Sequence, residues 1–174
     1  VIVFRHYDAR FPFLWESVAQ PPARWHSDGE GPTHYFADTP NGAWAEFIRH
    51  EEITELADLA GVRRGICAHD IDPDECEEPA LPLSMLTGDE STYADCRSEA
   101  HILRSAGAVG LVAPSAALLS GAGAGLSVDG GMQEGPPRDG MVFVLFGPRP
   151  HLVGWRVATE ARPPVEILDQ VRYL

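Results

Sequence analysis

Residues 24 to 50 read RWHSDGEGPTHYFADTPNGAWAEFIRH, and the fold class turns on how this stretch divides. Gly29, Gly31 and Pro32 mark a turn, after which His34, Tyr35 and Phe36 predict a short strand. Asp38 or Thr39 then offers an N-cap, with Pro40 at the first helical position, and a helix is expected to about His50. At 100° per residue, Ala43, Trp44, Phe47 and Ile48 fill one apolar arc of that helix. Glu46 falls beside the arc, next to His50, whereas Arg49 and Glu52 point away from it. Glu46 is therefore expected to be neither core nor fully solvated, on a helix that starts where a tyrosine-bearing strand stops.

Working outward, Val1 to Phe4 predicts a strand with Arg5, His6 and Tyr7 at its end. Phe11 to Val18 is apolar and aromatic, bounded by Pro21 and Pro22, and predicts a helical turn or a covering loop, in either case a lid or wall. Beyond the central helix come a short helix from Glu55 to Ala60 closed by Gly61, a strand from Arg64 to His69, and an acidic, proline-broken surface loop from Asp70 to Pro82. A longer helix spans Tyr93 to Ala106 with Gly107 as its stop, and a buried strand from Val109 to Val112 ends at Pro114 and Ser115. Gly121 to Gly125 lacks the GK[ST] ending of a phosphate loop and predicts a flexible connection. Met141 to Phe146 and His151 to Val157 predict a hairpin joined by Gly147 to Pro150, and a short helix or strand closes the chain. Strands and helices interleave too irregularly for a doubly wound sheet, so an α+β fold in one domain over residues 1–174 is expected.

Charge and composition remove several function classes. The formal net charge of −13 opposes binding to nucleic acid or an anionic membrane. All 13 basic residues are arginine. With no lysine, Schiff-base chemistry and a P-loop lysine are excluded, and any bound anion must be held by arginine, histidine or backbone amides. Cys67, Cys76 and Cys96 form neither a disulfide framework nor a zinc pattern, which suits a reducing cytoplasm. No signal-peptide pattern and no apolar run near the ~20 residues of a membrane span is present. HExxH, zinc-spaced Cys and His pairs, and GxSxG are absent, so no metal is expected.

What survives is Arg5, Arg24 beside Trp25, Tyr35 and Glu46. Arginine suits bidentate phosphate contact, tyrosine and tryptophan can stack on a planar base, and one carboxylate can stabilise a sugar cation. Breaking the N-glycosidic bond of a dinucleotide needs these groups. Equally, Arg24 and Glu46 could form a structural ion pair, with Tyr35 in the core.

The run ARWHSDGEGPTHYFADTPNGAWAEFIRH, with the later YADCRSEAHILRSAGAVGLVAPSAA, resembles the RES domain found in toxins of RES and Xre toxin–antitoxin systems. The resemblance implies an ADP-ribosyltransferase-like mixed sheet with surrounding helices, and consumption of NAD by hydrolysis or phosphorolysis. It matches Arg5, Arg24, Tyr35, Glu46 and Ser115 to the family's site. Glu46, Arg5 and Tyr35 are then expected to act in catalysis, and Arg24, Trp25 and Ser115 to bind NAD. Ser115 equally reads as a helix N-cap. Inorganic phosphate as acceptor and an Xre-type antitoxin as partner follow from the same resemblance. His26 stands where the family commonly has asparagine, and His6 follows Arg5 where related toxins can carry tyrosine. Transfer of ADP-ribose to a protein or small molecule, or a catalytically silent nucleotide- or partner-binding module, would use the same residues.

Overall fold

The computed structural model describes residues 1–173. Its strands are β1 (Ile2–Tyr7), β2 (Thr33–Ala37), β3 (Arg64–Asp70), β4 (Cys76–Glu77), β5 (Gly110–Pro114), β6 (Leu126–Val128), β7 (Met132–Glu134), β8 (Met141–Phe146) and β9 (Gly154–Ala161). Seven form one mixed sheet in the order β4-β5-β8-β2-β1-β3-β9, with β6 and β7 paired separately. Within the large sheet only β4 and β5 run parallel. The helices are α1 (Pro40–His50), α2 (Leu56–Ala60), α3 (Leu83–Leu86) and α4 (Tyr93–Ser105), and the fold is α+β.

The central stretch folds as its local chemistry dictates. Pro40 opens α1, and the Thr39 hydroxyl accepts the Gly42 N–H at 3.0 Å, satisfying one of the free amides of the first turn. Trp44, Phe47 and Ile48 then pack with Ile66 and Leu118. Farther along, Cys96 and Ala100 of α4 pack on Leu111, Val144 and Phe146. Both helices lie on the same side of the sheet, because Tyr35 and Ala37 stand opposite Val144 and Val142, and Phe4, which packs against the α1 cluster, stands opposite Ala37. On the other side Val3, Phe36, Phe143 and Leu145 are covered by Leu14 and Leu152 from connecting segments.

Several expectations need correction. The anticipated hairpin does not form: β8 is inserted between β5 and β2, and β9 pairs with β3 at the far edge. Val142 to Phe146 are all buried, so β8 needs neighbours along both edges and cover on both faces, which a two-stranded ribbon cannot supply. The connection turns away at Gly147, at φ 75°, and Arg149 holds it there by donating to the Val109 and Phe146 carbonyls. The first strand runs on through Tyr7, so Arg5 sits in mid-strand opposite Cys67 instead of at the strand end. Phe11 to Val18 takes the second of its two expected forms, a loop without a helical turn. The acidic segment 70–82 is more than a loop: Pro73–Glu75 forms a 3-10 turn and Cys76–Glu77 becomes β4. The short closing element is as expected a helix, of the 3-10 type over residues 165–170.

Gly110 shows how tightly β5 meets β8. A Cβ there would lie 2.5 Å from the Val144 carbonyl oxygen, a backbone atom that the central strand cannot move. Gly110→Ala is expected to cost about 1–3 kcal/mol, lowering Tm by about 2–4 °C per kcal/mol, measurable by thermal denaturation.

The strand pairing has one further property that matters for a site. β1 matches β3 from Ile2↔Asp70 to Tyr7↔Gly65, but it matches β2 only at Phe4↔Ala37. Past that pair β1 and β2 are no longer in register with each other, a gap in the pairing of the sheet.

Candidate active site

The opening between β1 and β2 leads into a cavity of about 970 Å³, bounded by α1 and the segment from Asp8 to His26. Arg5, the adjacent Arg24 and Trp25, Tyr35 and Glu46 all line it. Ser115 does not reach the lining but touches Glu46: its hydroxyl lies 3.4 Å from Glu46 Oε1.

Glu46 is half-buried on α1, on the side facing the cavity. Burial raises the pKa of its carboxyl, and this outweighs the opposing influence of Arg49, Arg24, the Ser115 hydrogen bond and His50. Among the described residues no ion pair joins Glu46 to Arg24, so the structural pair considered above does not form. Ser115 combines two tasks. Its oxygen accepts the N–H groups of Ala117 and Leu118 at 3.2 and 3.3 Å, while its proton is directed to Glu46. No helix follows Ser115, so it closes a turn, and of its two equal readings the helix N-cap does not apply.

Arg49 corrects the helical-wheel expectation. It is only 6% exposed, lines the cavity, and donates to the carbonyls of Ala116 and Gly88, the latter at 3.2 Å. The apolar arc of α1 marks only part of its inner face, because the segments carrying Gly88 and Ala116 cover the adjoining flank and offer carbonyl acceptors. The signal that could have found Arg49 is its spacing, three residues after Glu46, which makes the two neighbours on the helix surface.

Tyr35 is held by a chain of hydrogen bonds whose protons can be assigned. The Pro21 carbonyl can only accept, so His26 Nε2, 2.8 Å away, carries the proton. His26 Nδ1 then accepts from the Tyr35 hydroxyl at 2.9 Å, and the hydroxyl oxygen in turn accepts the Trp25 N–H at 3.0 Å. Burial raises the Tyr35 pKa and lowers that of His26, which favours the neutral form of each. Histidine at position 26 thus orients the tyrosine. Trp25 itself is 1% exposed and packs with Leu86 and Phe146, so its ring belongs mainly to the core.

Arg24 is likewise committed. Its Nη1 donates to the Met85 carbonyl and the Thr92 hydroxyl at 3.2 and 3.0 Å, its Nη2 donates to the Gly88 carbonyl at 2.6 Å, and its guanidinium lies 4.6 Å from the Tyr93 ring centroid. It ties the segment from Met85 to Thr92 against the cavity wall. Arg5 is the opposite case. Strand alternation puts it on the face carrying Cys67 and His69, away from Glu46, and it reaches the cavity through the opening beside β2. Its Nη1 is buried without a partner, and an anionic oxygen would satisfy it.

Two further cavity residues were not anticipated as a pair. Arg64 Nη2 lies 3.4 Å from His6 Nδ1, and its guanidinium sits 5.1 Å from the Phe47 ring centroid. Burial, helped by Arg64, Arg5 and His50, pushes the His6 pKa down to about 3, so its ring accepts from Arg64 and stays neutral. Among the described residues no cluster of three or more His, Cys, Asp or Glu is placed to hold a metal ion, and no helix is long and apolar enough to cross a membrane.

The family model described as RES domain matches residues 2–125, which include every site residue discussed above. No curated protein matches the chain. The match ends before β8, although β8 pairs with the strand that carries Tyr35.

Proposed function

Because the chain belongs to the RES domain family, we propose that it consumes NAD, breaking the bond between nicotinamide and ribose and passing ADP-ribose to phosphate or water. The observation that carries this reading is a half-buried carboxylate, Glu46, at the wall of a cavity of about 970 Å³ that is also lined by Tyr35 and by Arg5, whose buried Nη1 has no partner. That volume lies at the upper end of the roughly 300–1,000 Å³ of small-molecule sites, as a dinucleotide requires.

The bond to be broken joins a positively charged pyridinium nitrogen to the ribose C1′ carbon. The bonding pair leaves with the nitrogen, so nicotinamide departs neutral without needing a proton, and the positive charge passes to the ribose as an oxocarbenium-like centre. Only one ionised carboxylate is then required, to meet that charge or hold the adjacent hydroxyls, and its effect is greatest where water is excluded. Glu46 fills that role, with Ser115 and Arg49 orienting its surroundings. A water molecule adding to C1′ yields ADP-ribose and releases a proton; phosphate adding there yields the 1-phosphate of the same ribose. Arg5 would hold a phosphate oxygen, whereas Arg24 would shape the wall through its carbonyl contacts.

Incubation with NAD, with and without inorganic phosphate, should release nicotinamide, and the second product should show which acceptor is used. Absence of nicotinamide in both buffers would overturn the reading. Appearance of labelled ADP-ribose on a protein or small molecule would replace hydrolysis or phosphorolysis with transfer.

A further inference from the structure

We infer that the loop from Asp8 to Gln20 is a stacking clamp for a purine base, formed by Phe11 and Trp15 at the mouth of the cavity. The inference rests on the dinucleotide reading above, and it assigns these two cavity-lining rings to the purine of that substrate.

The loop is pinned on both sides of the two rings. The Asp8 carboxylate takes the backbone N–H of Arg10 at 3.0 Å and its guanidinium at 2.6 Å, and Phe11 N–H donates to the Asp8 carbonyl at 2.9 Å. On the other side Glu16 Oε1 accepts the Arg149 N–H at 2.7 Å and lies 3.1 Å from His34 Nε2. Gln20 closes the loop with two bonds of 2.9 Å to the backbone of Thr33. Phe13, between the rings, turns inward beside Tyr7 and His69.

Held in this way, Phe11 and Trp15 are nevertheless 56% and 61% exposed, and both line the cavity that reaches Glu46. They meet each other edge to face, with centroids 6.3 Å apart, and although the Arg10 guanidinium stands 5.9 Å from the Phe11 centroid, much of both rings remains open to solvent. Apolar surface that could have been buried is instead displayed on a fastened loop, which is the arrangement of a binding surface. A flat aromatic ligand fits it: every nucleobase has a π-face, and stacking needs no particular pattern of donors and acceptors. The charge balance agrees, because a neutral base, unlike a phosphate, does not require the arginines that this stretch lacks apart from solvent-exposed Arg10, already bonded to Asp8.

The test is calorimetric titration with AMP and with ribose 5-phosphate, which lacks the base. The chain should bind AMP more tightly, and the double variant F11A/W15A should lose AMP affinity by roughly ten- to a hundredfold, while Trp15→Phe, which keeps a ring, retains most of it. Thermal melts should be nearly unchanged, since neither ring is buried. Equal affinity for the two ligands, or AMP affinity unaffected by F11A/W15A, overturns the clamp. Failure of the catalytic reading looks different: no nicotinamide is released from NAD, yet AMP affinity still depends on the two rings.

Discussion

Glu46→Gln is expected to lower nicotinamide release from NAD by about 10²–10³-fold, the scale seen when one preorganised group facing transition-state charge is removed. Glutamine keeps the size and the hydrogen-bond acceptor that Ser115 addresses at 3.4 Å, so the loss isolates the negative charge. The same substitution should stabilise the fold at neutral pH. Burial raises the Glu46 pKa above its unfolded value, so between those two pH values the folded chain holds more protons than the unfolded chain, and stability falls as pH rises. Above the folded pKa the full cost of burying the charge is present, and below the unfolded pKa it vanishes. Glu46→Gln should therefore raise Tm at pH 7, with the difference closing as pH falls from the raised folded pKa towards the unfolded one. Wild-type activity should share this origin, with an acidic limb above the ordinary carboxylate range. A variant that keeps full turnover would remove Glu46 from the reaction. One that loses activity but also loses stability at neutral pH would show that the carboxylate is structural.

The second large effect is acid sensitivity. His69 is fully buried, and His6 is packed against Phe47 with ring centroids 5.0 Å apart. Burial, aided by neighbouring arginines, pushes the pKa of His69 down to about 4 and that of His6 down to about 3. Both are free to take up a proton near pH 6.5 once the chain unfolds. Between pH 6.5 and those lowered values the unfolded chain binds more protons, so stability is fully present above pH 6.5 and drains away as pH falls. At pH 5 each histidine should cost about 2 kcal/mol relative to pH 7, or about 4 kcal/mol together, a large part of the 5–15 kcal/mol typical of a folded domain. His26 and His34, both buried and both lowered, act in the same direction. Urea titrations of Glu46→Gln, which lacks the opposing gain of the Glu46 carboxyl, at pH 7 and pH 5 measure the effect, and a midpoint that does not move across this interval would contradict it. The interval separates these groups from ordinary carboxylates, which titrate lower.

Much of the architecture was legible because short-range physics controls it. Thr39, Pro40 and the apolar arc of α1 specify a helix start and an inner face from local geometry alone, and the same holds for α4 with Gly107, at φ 94°, beyond its end. The exclusions that follow from a chain without lysine are equally independent of folding. The aromatic segment before Pro21 was recognisable as a wall, although its pinning by Glu16 and Gln20 to residues distant in the chain was not.

Tertiary structure decided what depends on partners distant in sequence. Strand alternation can be read from residues, but which strand lies beside which cannot, and so β8 and β9, adjacent in the chain, occupy the interior and the far edge of the sheet. The end of β1–β2 pairing at Phe4 is a property of tertiary structure, and Arg5 and Glu46 both line the cavity beside it. Arg24 and Arg49 carry the same lesson. Their positions identify arginines near a carboxylate, but the carbonyls of Met85, Gly88 and Ala116, supplied by other segments, determine what their donors bind. The sequence by itself determined the kinds of side chain available and their local elements. The fold determined which of them converge, because backbone acceptors and burial are shared across the whole chain.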